Sequence, residues 1–119
     1  MSMMRRGPLD RYRPEWVLRQ AATLGVTGSI EFHAGEPATF FVDGGHVYAA
    51  RRGLGDEPDG PEGPDEASQR ALAVALLARV LPMAAGWYYH DPLGRHPARG
   101  AWAWEVPSLL GEVATRDRP

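Results

Sequence analysis

Thr27-Gly28-Ser29-Ile30-Glu31-Phe32-His33 alternates apolar and polar residues with a period of two, which suits a half-buried strand and not a helix. Ile30 and Phe32 would face a core, Glu31 and His33 the other side. Ala34-Gly35-Glu36-Pro37 reads as a turn, and Ala38-Thr39-Phe40-Phe41-Val42 as a second strand, apolar enough to be central. Asp43-Gly44-Gly45 then supplies the positive φ angles that a tight hairpin needs. His46-Val47-Tyr48-Ala49-Ala50-Arg51 returns as a third strand. Residues 27–51 therefore predict an antiparallel three-stranded meander, and the rest of the chain must cover it.

Upstream, Arg13-Pro14-Glu15 reads as a helix start, with proline at the first helical position and a carboxylate near the positive end of the dipole. Val17, Ala21 and Leu24 recur at helical spacing, and Gly25 fits the stop. Residues 1–12 lack apolar periodicity and are expected to be a loose, flexible arm. Downstream, residues 52–64 are dominated by glycine, proline and acids and read as an exposed loop. A helix follows over about 65–81, opened by Pro64, Asp65 and Glu66 and ended by Pro82. Gly86-Trp87-Tyr88-Tyr89-His90 predicts an aromatic strand. Ala101-Trp102-Ala103-Trp104-Glu105 alternates again, with both tryptophans on one face, and is expected to pair with it. A short last helix carries Leu109, Leu110 and Val113. The expected fold class is α+β: an antiparallel meander of about five strands, with two to three helices mainly on one face, in one domain over residues 13–116.

The chain has 119 residues, a length that one core can serve. It contains no cysteine, which removes disulfides, thiol catalysis and thiolate metal sites. All 13 basic residues are arginine, so Schiff-base and P-loop lysine chemistry are excluded. The net charge is −2. A nucleic-acid domain commonly shows a basic excess, which is missing here, apart from Arg5, Arg6, Arg11 and Arg13 near the start. No apolar run is long enough to span a bilayer and the first residues do not read as a signal peptide, so a cytoplasmic location without membrane contact is expected.

The motif order also carries a resemblance. Thr27, Gly28, Ile30 and Phe32, then Phe41, then Asp43, Gly44, Val47 and Ala49 fill a T-G-x-apolar-x-apolar strand, an apolar strand, and a glycine turn with its strand. Gly86, Trp87 and Tyr89 follow after an alanine- and leucine-rich helix, and Leu109, Leu110, Glu112 and Arg116 form a closing L-L-x-E-x-x-R-like helix. Over residues 14–116 this resembles the PATAN family, the N-terminal domain of PatA-type response regulators. The resemblance implies a non-catalytic protein-interaction module of bacterial signalling.

Chemical motifs are sparse. His33, His46, His90 and His96 form no metal-ligand spacing; His90, Asp91 and His96 share a loop without an obvious fourth ligand, so surface histidines and no metal or cofactor are expected. Ser2, Ser29, Ser68 and Ser108 lie outside any nucleophile elbow. Asp56, Glu57, Asp59, Glu62, Asp65 and Glu66 lack calcium-loop spacing and read as a solvated loop. Gly53-Leu54-Gly55 is rejected as a phosphate loop because acids follow at once. The chain is therefore read as a non-enzyme. Trp87 and Trp102 are expected in the core, with Trp104 divided between core and interface.

The helix over 65–81 is apolar over more than half its circumference, whereas a surface helix shows one stripe. The expected protein interface, to a partner or to a second copy in a homodimer, is Ala71, Val74, Ala75 and Ala78 with Trp102 and Trp104. The alternative readings are a nucleic-acid-associated regulator using Arg5, Arg6, Arg11, Arg13, Arg51 and Arg52, and a small-ligand sensor with a pocket under the aromatic strands.

Overall fold

The computed structural model describes residues 3–53 and 65–116. Its elements are β1 (Arg6–Pro8), α1 (Pro14–Leu24), β2 (Gly28–His33), β3 (Ala38–Asp43), β4 (His46–Arg52), α2 (Glu66–Val80), β5 (Trp87–Asp91) and α3 (Val106–Arg116). The five strands form one sheet in the order β1-β5-β2-β3-β4, every neighbouring pair antiparallel. The expected α+β fold with a β2–β3–β4 meander is the fold observed.

Alternation sends one set of side chains to the helices and the other set away from them. Ile30, Phe32, Phe40, Val42, Val47, Ala50 and Tyr88 join the main core with residues of all three helices. The helices are built for this face. α1 buries Pro14, Val17, Leu18 and Ala21, and α3 buries Val106, Leu109, Leu110 and Val113, each an i, i+3, i+4, i+7 stripe. α2 buries Leu72, Ala73, Val74, Leu76, Leu77 and Val80 because it packs on β4 and β3 from one side and on α3 from another. Its broad apolar surface is thus largely covered within the domain. Each fully buried Leu, Val or Phe contributes about 1.5–3 kcal/mol relative to exposure. Asp65 caps α2, its carboxylate accepting from the Ser68 N–H (3.2 Å) and Ser68 hydroxyl (2.8 Å). These hydrogen bonds hold the Asp65 pKa below its ordinary value, so the cap is lost only as pH falls through that lowered value.

A bulge shapes the other face. Phe41 pairs with Ala49 and Val42 with Val47, which leaves Tyr48 as the extra residue on β4. Phe41, Tyr48 and Ala49 make a second cluster, packed by Ala98 and Trp102 of the β5–α3 loop. Burial pushes the Tyr48 and Tyr88 phenols above their usual 10.0, against the lowering hydrogen bond from the His96 N–H at Tyr48. A raised phenol pKa gives stability that is whole below the unfolded value and lost as pH rises past 10.0. Thermal melting should therefore fall on raising pH above that point, and Tyr88→Phe should shallow the decline; equal pH profiles for variant and parent would refute the assignment.

Two expectations are corrected. The segment 1–12 is no loose arm in its described part: residues 6–8 form the edge strand β1, Leu9 and Met3 are buried, and the Tyr88 hydroxyl donates to the Met4 carbonyl at 3.2 Å. The Trp102/Trp104 segment is not a strand on β5, because both edges of β5 are taken by β1 and β2. Trp104 instead bridges Val47 on β4 through two backbone bonds, 3.0 and 2.7 Å. The fifth strand comes from the chain start. The exposed loop read over 52–64 falls outside the described residues beyond Gly53, with Arg52 closing β4.

Candidate binding surface around strand β1

The expected interface residues do not form one surface. Val74 is 4% and Trp104 5% exposed, both within the main core; the Trp104 indole N–H donates to Glu66 Oε2 at 3.1 Å, and Arg70 lies over its ring. Trp102 is half-buried against the second cluster, its indole N–H on the Tyr48 carbonyl at 2.8 Å. Ala71 is exposed and Ala75 and Ala78 are half-buried, so only these alanines remain on the outer side of α2. The two tryptophans part because one follows the bridge to β4 and the other the strap across the sheet.

Trp87, expected in the core, stands on the sheet face away from the helices. Its register opposite His33 on β2 puts it on the other side from Tyr88. The His33 ring lies flat on it, 3.7 Å between centroids at 8°, and the Arg6 guanidinium sits 4.6 Å from the ring centre. β5 lies between β1 and β2, so these two neighbours approach from opposite sides. Glu31 Oε1 is 3.1 Å from His33 Nε2, both side chains less than a fifth exposed. One register row, Arg6–Tyr89–Glu31–Thr39–Arg51, runs across all five strands on this face.

The helix side of β1 carries the second half of the surface. A Cβ on Gly7 would lie 2.8 Å from the Tyr12 ring and 2.9 Å from Tyr88, so a larger residue there would push the rings off the strand. Tyr12 stacks on Trp16 (5.1 Å, 29°), meets Tyr88 edge-on (6.4 Å, 87°) and carries the Arg11 guanidinium at 5.5 Å. Arg13 donates to the Pro82 carbonyl at 3.1 Å. Trp16 is 43% and Met4 49% exposed. Arg19, Arg70 and Arg99 pair with Glu15, Glu112 and Asp43; among the described residues, Arg5, Arg6, Arg11 and Arg13 face no carboxylate. Of the six arginines grouped from the sequence, Arg51 lies across the sheet over Phe41 and Arg52 ends β4, apart from the other four.

His90 and His96, expected at the surface, are buried: His90 Nε2 donates to the Thr27 carbonyl (3.1 Å), and His96 Nδ1 accepts from the Ala98 N–H (3.0 Å). Each pairs a backbone group, the Thr27 carbonyl before β2 and the Ala98 N–H of the β5–α3 loop. Among the described residues no three potential metal ligands cluster, and no hydroxyl bonds to the His33 ring. Among the described residues, one open cleft of about 260 Å³ lies beside Ala22, His46 and Val106 and another of about 380 Å³ beside Arg95 and Arg99, neither of them beneath the aromatic strands. No described helix is long and apolar enough to cross a membrane.

Comparison of the chain with models of known protein families, with curated proteins and with solved structures finds no match.

Proposed function

We propose that this chain is a non-catalytic protein-interaction module whose working surface surrounds β1. The observation that carries the reading is a group of four arginines close in sequence that, among the described residues, meet no carboxylate, three of them held by a ring or a carbonyl, beside the exposed Trp16. Tryptophan and arginine dominate binding energy in protein interfaces, and fixing them beforehand lowers the entropy lost on association. The signalling context of the module comes from the PATAN resemblance of its motif order alone, and a cytoplasmic setting belongs to the same reading.

Affinity capture from the native lysate, with nuclease present, tests it. Trp16→Ala should remove the specifically captured proteins while leaving the melting temperature close to that of the parent. Ala75→Arg with Ala78→Arg addresses the outer side of α2: loss of capture by this pair and retention by Trp16→Ala would move the working surface to that helix.

A further inference from the structure

We infer that the surface around β1 takes an acidic protein segment, bound through its carboxylates. This inference rests on the interaction-module reading and names the chemistry of the partner. Charge is divided unevenly along the chain. Residues 3–19 hold five arginines against Asp10 and Glu15, a net +3, while the whole chain carries −2, which leaves −5 on the remainder. The positive end is thus a local feature of an acidic molecule, suited to a short anionic segment.

The arginines are arranged for planar acceptors. Arg6 lies 4.6 Å from the Trp87 ring centre and Arg11 5.5 Å from that of Tyr12, so each guanidinium is held by a ring while its five N–H donors meet no carboxylate among the described residues. Those donors match a carboxylate two bonds at a time. Trp16, stacked by Tyr12 and 43% exposed, adds apolar area next to the charges.

The same geometry weighs against other anions. Single-stranded nucleic acid binds by stacking bases on free aromatic faces. Here Trp87 is held between His33 and Arg6, and Tyr12 carries both Trp16 and Arg11, so of these rings only Trp16, 43% exposed, is open to a base, too few for a run of stacked bases. A long phosphate backbone would also meet a chain whose residues outside 3–19 carry a net −5. Strand addition at the β1 edge is obstructed by Pro8, which has no N–H to offer and whose carbonyl already accepts from Arg11 and Tyr12. Side chains, not an added strand, would hold the segment.

Fluorescence anisotropy of a labelled peptide of alternating Glu and Asp, with the full chain as receptor, tests the inference. Binding should weaken by about tenfold in Arg11→Gln and again in Arg6→Gln, since each removes a charge-assisted pair. Arg95→Gln with Arg99→Gln, on the loop across the sheet, should leave it unchanged. Melting curves of each variant establish that the fold is kept; Arg13 is left alone because it also holds Pro82. Tighter binding of oligothymidylate, or of phosphatidylserine vesicles, than of the peptide would overturn the inference in favour of phosphate. Equal weakening by the Arg95/Arg99 pair would reduce it to unspecific charge attraction and overturn it too. Peptide binding absent while Trp16→Ala still removes lysate capture would sink this inference and leave the interaction module standing; capture unaffected both by Trp16→Ala and by Ala75→Arg with Ala78→Arg would sink the module reading itself.

Discussion

Replacing Trp104 by alanine is expected to destabilise the fold by about 3–5 kcal/mol. The indole is 5% exposed and belongs to the main core, so truncation leaves a large hole among residues fixed by α2, α3 and β4. The change also removes the bond from the indole N–H to Glu66 and the ring beneath Arg70, which itself joins α2 to Glu112 and Ser108 on α3. A domain of this size has about 5–15 kcal/mol in total, so the variant should lie near the edge of folding. Urea denaturation followed by circular dichroism measures it. Trp102→Ala, half-buried and bound by a single side-chain hydrogen bond, should cost clearly less. A Trp104→Ala protein with parental stability and lost association would return Trp104 to an interface.

The meander was legible because two local signals agree there. Alternation on β2 fixes Ile30 and Phe32 as inward, and Asp43-Gly44-Gly45 fixes the turn between β3 and β4; the bulge at Tyr48, which turns Ala50 and not Ala49 inward, left no such signal. The helices were legible from their stripes and caps, with Pro14 opening α1 and Asp65 capping α2. Where the sequence reading failed, the deciding contact was distant. β1 is three residues long, too short for periodicity, and exists because the free edge of β5 accepts it some eighty positions away. Trp102 and Trp104 alternate as strand residues do, yet which edge they meet depends on β5 already being paired on both sides.

The candidate surface shows the same limit. Arg5, Arg6, Arg11 and Arg13 stood out as a cluster, but composition does not say which arginines are paired. Only the fold shows that Arg19 is joined to Glu15 at 3.2 Å while its four neighbours in sequence meet rings, a carbonyl or solvent. Nor does the helical pattern say that α2 spends its broad apolar surface on β4, β3 and α3, which draws Val74 inside and separates it from Ala71. Trp87 misled because an aromatic strand offers two faces. Tyr88 took the one under the helices, and Trp87 was left to His33 and Arg6.

Gly28→Ala is expected to cost more than about 3 kcal/mol, for two reasons that act together. The residue sits at φ +131°, where a side chain adds strain of about 1–3 kcal/mol. Its Cβ would also meet backbone that has no easy way to move: it would clash with the Asp91 carbonyl oxygen and lie 2.8 Å from the Pro92 Cα. Asp91 ends β5, which is held by β2 on one side and β1 on the other, so relief would mean sliding β5. That movement would carry Trp87 away from His33 and loosen β1, and tryptophan emission should report it alongside the melting curve. Gly44→Ala provides the comparison. It too has a positive φ, 59°, but nothing lies within 4 Å of its Cβ, so only the conformational cost of about 1–2 kcal/mol applies. A Gly28→Ala protein no less stable than Gly44→Ala would mean that β2 and the end of β5 do not approach this closely. The placement of Trp87 between His33 and Arg6 would then lose its support as well, since the same β2–β5 register sets both contacts.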